Sequence, residues 1–191
     1  MNPLFIFQIS ESQSIQILID EQNKVNRYGY ESEGLHIFDE VEVRYIGDDQ
    51  ETLLATDIVR EIVDNLYASL EEALNNKLSL DKYLAIGKVG YFFSKATHRN
   101  NNRSKKMADI IPKYWVWSLP TSIQTWLYTV DNTIYLEISP IYSPYTQNEL
   151  YISFDKYANS YKPIVVVELQ KHLVQAWIHQ SHSLLQTMEE V

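Results

Sequence analysis

The sequence predicts an α+β fold, a largely antiparallel sheet with three main helices packed on one face. Three observations carry this. Runs of β-branched and aromatic residues, such as "LFIFQIS" and "TIYLEISPIY", occur in both halves of the chain. Between them, Leu54, Ile58, Ile62, Leu66, Leu70 and Leu74 step by four, the spacing of a helix stripe. A second amphipathic run, "ELQKHLVQAWIHQSHSLLQTMEE", closes the chain. Neither an internal repeat nor a Gly/Pro-rich linker is visible, so residues 1–191 read as a single α+β domain.

"LFIFQIS" and "SIQILIDEQ", separated by "ESQ", form the arms of a first hairpin. A polar connection, "KVNRYGYESEGL", leads to a third strand in "HIFDEVEVRYIG". There Phe38, Val41, Val43 and Tyr45 make the buried set, with Asp39, Glu40, Glu42 and Arg44 mostly outward. A bulge is expected near Asp39–Glu40. "DDQETLLATDIVREIVDNLYASLEEALNNK" then reads as one long amphipathic helix, widened by Val59, Val63 and Tyr67 and stopped by Asn75–Asn76. Acids at its start (Asp48, Asp49, Glu51) suit the helix dipole. "SLDKYLAIGKVGYFFSKA" reads as a second helix capped by Ser79 or Asp81 and loosened by Gly87 and Gly90.

The basic, asparagine-rich stretch "KATHRNNNRSKKMADIIPK" has no apolar period, and a mobile loop is expected at about residues 97–111. Beyond it, "KYWVWSLP" reads as a short strand. "SIQTWLYTV" and "TIYLEISPIY" flank the two-residue turn "DN" as a second hairpin. Ser153 caps a short helix in "SFDKYANSY", "KPIVVVE" is a buried strand, and the closing helix follows.

Composition narrows the chemistry. The 191 residues are 45% hydrophobic, too apolar for a disordered chain. No cysteine is present, which excludes thiol nucleophiles, disulfides and cysteine-ligated metals. The five glycines are not grouped as a phosphate cradle requires. "MNPLFIFQIS" lacks a basic leader and reads as a strand, and no apolar run is long enough to span a bilayer. These features predict a cytoplasmic protein without a membrane partner.

The formal net charge is −9, which opposes general nucleic-acid binding. The charge is uneven. Residues 95–113 hold six Lys/Arg against one acid, so that stretch is +5 and the remainder −14. Arg99, Arg103, Lys105 and Lys106 are its basic-loop residues, and they define one alternative reading, a nucleic-acid-associated regulator.

Other constellations have structural readings as well. His179 and His182 lie at i, i+3 on the last helix, but no Cys or Asp sits nearby to complete a zinc set. The acids of "FDEVEVRY" and "GDDQE" suggest a second alternative, a metal-dependent hydrolase or nuclease-like enzyme. A nuclease strand of the D-(x)n-E-x-K type needs a lysine where this one carries Arg44. There is no G-x-S-x-G elbow. The expected protein is therefore not an enzyme and needs no cofactor or metal. Its contact residues are expected among Asp39, Glu40, Glu42, Asp48 and Asp49 for charge, with Tyr142 and Tyr145 as aromatic anchors.

Two stretches, "TWLYTVDNTIYLEISPIYSP" and "YANSYKPIVVVELQKHLVQAWIHQSHSLL", resemble small, acidic, cysteine-free bacterial proteins of the polymorphic-toxin immunity type. The resemblance covers about the last seventy residues and transfers no functional residue. It implies a protein that binds a protein partner, such as a basic toxin.

Overall fold

The computed structural model describes residues 1–20, 35–47, 49–98, 109–117, 122–144 and 152–188. The fold is α+β, with two four-stranded antiparallel sheets in place of the expected single sheet. The chain divides into two compact units, one from Met1–Glu71 with Gln170–Val191 and one from Glu72–Leu169. Its helices are shared between these units, so the expectation of three helices on one face of one sheet does not hold. Among the described residues, no helix is long and apolar enough to cross a membrane.

In the first unit, β1 (Asn2–Gln8), β2 (Ser14–Ile19), β3 (Glu40–Ile46) and β4 (Glu51–Ile58) pair in chain order. Strand alternation sets the two faces. Phe7, Ile15, Ile17, Ile19, Val41, Val43 and Tyr45 are all buried, and register places Phe7 by Ile15, Ile15 by Tyr45 and Ile17 by Val43. Helix α1 (Val59–Leu74) buries Ile62, Val63, Leu66 and Leu70, and α4 (Lys171–Thr187) buries Val174, Trp177 and Leu184. Trp177 meets Phe7 edge-on, with ring centroids 5.4 Å apart.

Three expectations in this unit are corrected. Residues 51–58 form strand β4, and the helix begins only at Val59. A spacing of four, as between Leu54 and Ile58, fits a period of 2 as well as 3.6, so the apolar stripe does not separate strand from helix. The register irregularity lies between Val43 and Arg44, where β4 buries both Leu54 and Ala55. It does not lie at Asp39–Glu40. Asp39 is buried at 8% exposure, whereas Phe38 is exposed. The turn at 36–39 explains the reversal. Asp39 Oδ2 accepts from His36 N at 2.8 Å, Asp39 N donates to the His36 carbonyl at 3.0 Å, and Val59 N of α1 donates to the Asp39 carbonyl at 2.7 Å.

α1 stops where the asparagine pair predicts. Asn76 is left-handed (φ 56°), its N–H donates to the Ala73 carbonyl at 3.0 Å, and Lys77 N donates to the Glu72 carbonyl at 2.9 Å. This is the Schellman arrangement that satisfies orphan carbonyls at a helix end.

In the second unit, β5 (Trp115–Trp117), β6 (Ile123–Val130), β7 (Thr133–Pro140) and β8 (Val165–Leu169) also pair in chain order. The β6–β7 hairpin turns at Asp131–Asn132, where φ is 48° and 64°, the pair of positive values a type I′ turn uses. α2 (Val89–His98) starts later than predicted. Asp81 makes a side-chain turn by accepting from Tyr83 N at 3.0 Å, and Gly87 takes a left-handed φ of 70° just before the helix. Residues 79–88 are therefore not helical: Ser79 bridges Thr129 of β6, and short turns follow. α3 (Phe154–Ser160) has the expected cap, Ser153 Oγ accepting from Lys156 N at 3.2 Å.

Candidate functional site

The solvent side of the first sheet is built by the same alternation that fills its core. Register aligns Ile6 with Gln16, Gln16 with Arg44, and Arg44 with Leu53, one row across four strands. Its ends stay open, with Ile6 44% and Leu53 38% exposed. The next row aligns Leu18 with Glu42 and Glu42 with Thr56. Arg44 organises the charge. Its Nε and Nη2 meet Glu42 Oε2 at 2.7 and 2.6 Å, and its Nη1 meets Glu51 Oε1 at 2.5 Å. These bonds, that to Glu42 first, raise the guanidinium pKa above its ordinary value. The face thus combines exposed aliphatic side chains with a carboxylate–guanidinium–carboxylate group.

The expected contact residues fall into different settings. Glu40 and Glu42 lie at alternate positions of β3 and share this face. Asp39 is committed to the turn before it. Asp49 is exposed in the β3–β4 turn, which Gly47 N closes on the Gln50 carbonyl at 2.8 Å. Tyr142, in the other unit, packs against Phe154 at 5.4 Å and His98 at 5.1 Å and donates its hydroxyl to the Ile152 carbonyl at 2.9 Å. Asp48, Tyr145, Arg99, Arg103, Lys105 and Lys106 lie outside the described residues, as does most of the expected basic loop. Sequence reasoning missed Ile6, Leu18 and Leu53. The available signal was the outward phase of each strand, once its buried phase was assigned.

A second constellation, also missed, lies within the Glu72–Leu169 unit. Glu137 of β7 is 0% exposed, and five donors surround its carboxyl. Oε1 takes Ser139 Oγ at 3.0 Å, Tyr161 OH at 3.1 Å and Gly90 N at 3.2 Å. Oε2 takes Tyr128 OH at 3.0 Å and Val89 N at 3.3 Å. Val89 and Gly90 open α2, so Glu137 supplies the cap that the helix lacks locally. The donors are themselves held: Trp126 Nε1 donates to Ser139 Oγ at 3.0 Å, and Gly87 N to Tyr128 OH at 3.0 Å. Burial raises the Glu137 pKa and outweighs the donors, which pull it down. Burial likewise raises the Tyr128 and Tyr161 pKa values well above the ordinary tyrosine range.

A neighbouring node forms at Ser94 of α2. Its hydroxyl donates to the Gly90 carbonyl at 2.8 Å, accepts from Tyr142 N at 2.8 Å, and meets Tyr157 OH at 2.9 Å. Tyr157 also donates to the Pro140 carbonyl at 3.0 Å, and burial pushes its pKa up to about 12. Among the described residues, no three of His, Asp or Glu are grouped so as to hold a metal ion.

The chain is thus an acidic α+β protein with one mixed apolar and charged sheet face and one enclosed carboxyl centre. No protein-family model matches it, and comparison with curated proteins and with solved structures gives no match.

Proposed function

We propose that this is a non-enzymatic protein-binding protein of the immunity or inhibitor type, and that the open face of the first sheet is its contact surface. The supporting observation is the row Ile6–Gln16–Arg44–Leu53. Single exposed aliphatic residues are ordinary. Here they terminate a cross-strand row whose centre is charged, with Glu40 and Glu42 on the same face. Aliphatic side chains supply area to bury, and the acids steer a basic partner and fix its register. The net charge of −9 acts in the same direction at longer range. A toxin with a basic nucleic-acid groove fits this chemistry. Inhibition is by occlusion, so no bond is made or broken.

The test compares the full chain with an Ile6→Asp/Leu53→Asp variant, using the products of the genes adjacent to its own as probes. The native chain is expected to bind one of them, with an association rate that falls by about tenfold from low to physiological salt. The variant is expected to keep its thermal midpoint and lose at least about tenfold in affinity. Equal binding by the variant overturns the surface. No binding by the native chain, together with no protection of cells co-expressing the probe, overturns the function.

A further inference from the structure

We propose that Glu137 is a proton-dependent latch: one buried carboxyl joins the first turn of α2, strand β6 and the residue following α3, and its protonation sets how firmly α2 is held on the second sheet. Four segments converge on the carboxyl. Val89 and Gly90 come from α2, Tyr128 from β6, Ser139 from β7 itself and Tyr161 from the end of α3. Gly90 has no room for a side chain, since a Cβ there would press on Ser139 Oγ and lie 3.1 Å from the Pro140 carbonyl. The first turn of α2 therefore sits directly against the strand that carries the carboxyl.

The titratable groups around Glu137 are tyrosines: Tyr128 on β6, Tyr157 on α3 and Tyr161 after it, with Tyr91 of α2 packed on the Tyr161 ring. A cation stands beside one of these donors: Lys88 Nζ lies over the Tyr161 ring, 4.9 Å from its centroid. No cation bonds the carboxyl itself among the described residues, so five dipolar donors must replace the water that an ionised carboxylate loses. The neutral acid avoids that cost. Its proton has an acceptor in the Tyr128 hydroxyl, and the 3.0 Å contact serves in either direction.

Burial raises the folded pKa above the unfolded value. The stabilising contribution is therefore fully present below the ordinary carboxylate pKa and is lost as pH rises through the folded pKa. The latch is tight when protonated and loosens when ionised.

The experiment is hydrogen exchange on the full chain from about pH 5 to about pH 8, with α2 amide protection corrected for intrinsic exchange. Native protection should fall with pH, by at most about tenfold per unit for one proton. Glu137→Gln, permanently neutral, should flatten that dependence. A pH-independent native α2, or a Glu137→Gln variant that keeps the native slope, overturns the latch. Tyr161→Phe decides the matter if Glu137→Gln does not fold. It keeps the ring and removes one donor that favours the ionised form, so the midpoint should move to higher pH. An unmoved or lowered midpoint overturns the proposal.

Discussion

Glu137 and Asp39 show how one side chain can commit a backbone segment. Asp39 closes the turn into β3 and sits beneath the start of α1 through its carbonyl. Asp39→Ala should cost about 1–3 kcal/mol, because it leaves the His36 N–H without its acceptor. The denaturant midpoint reads that loss. Gly90→Ala should cost about 1–3 kcal/mol by overpacking against Ser139 and Pro140, and it should lower α2 amide protection specifically. If Gly90→Ala were as stable as the native chain, the close approach of α2 to β7 would be wrong. Asp39 acts within four residues of chain, on His36, whereas Glu137 could not be assigned from its neighbours in sequence. The partners of Glu137 include Val89 and Gly90, which lie 48 and 47 positions away. In "TIYLEIS" the only local hint is a charged residue inside an otherwise apolar strand.

At the scale of elements, the legible features were those fixed by short-range rules. Asp131–Asn132 between two β-branched runs specifies its hairpin because both residues tolerate positive φ. Asn76 ends α1 for the same reason. Asn132→Gly should therefore stabilise the hairpin by a few tenths to about 1 kcal/mol, through relief of left-handed strain. A fall in thermal midpoint would contradict that. β4 and the true start of α2 were not legible, for two reasons. The apolar spacing of residues 54–58 satisfies both periods, and pairing with β3 decides between them. α2 has no local Ser or Asp cap, because its cap arrives from β7. The open face of the first sheet was half legible. Its acids were read from β3 alone, whereas Ile6, Leu18 and Leu53 join them only through strand register.

For the whole molecule, the charge balance and the chain path make separate predictions. Glu40→Ala/Glu42→Ala should slow association with a basic partner at low salt, and the difference should shrink once the Debye length falls to about 8 Å. Stability should fall by no more than about 1–2 kcal/mol, since the ion pair of Glu42 with Arg44 is half-buried and Arg44 keeps its bond to Glu51. An unchanged association rate would remove these acids from the contact surface. Trp177→Ala should cost about 3–5 kcal/mol in the first unit through its contact with Phe7. The order of the segments constrains synthesis. A ribosome delivers β1 to β4 long before α4, because the whole stretch from Glu72 to Leu169 is made in between. Until residues 170–188 emerge, Phe7 has no Trp177 to cover it. Nascent chains stalled before that point should recruit chaperones or aggregate, whereas chains released past it should not.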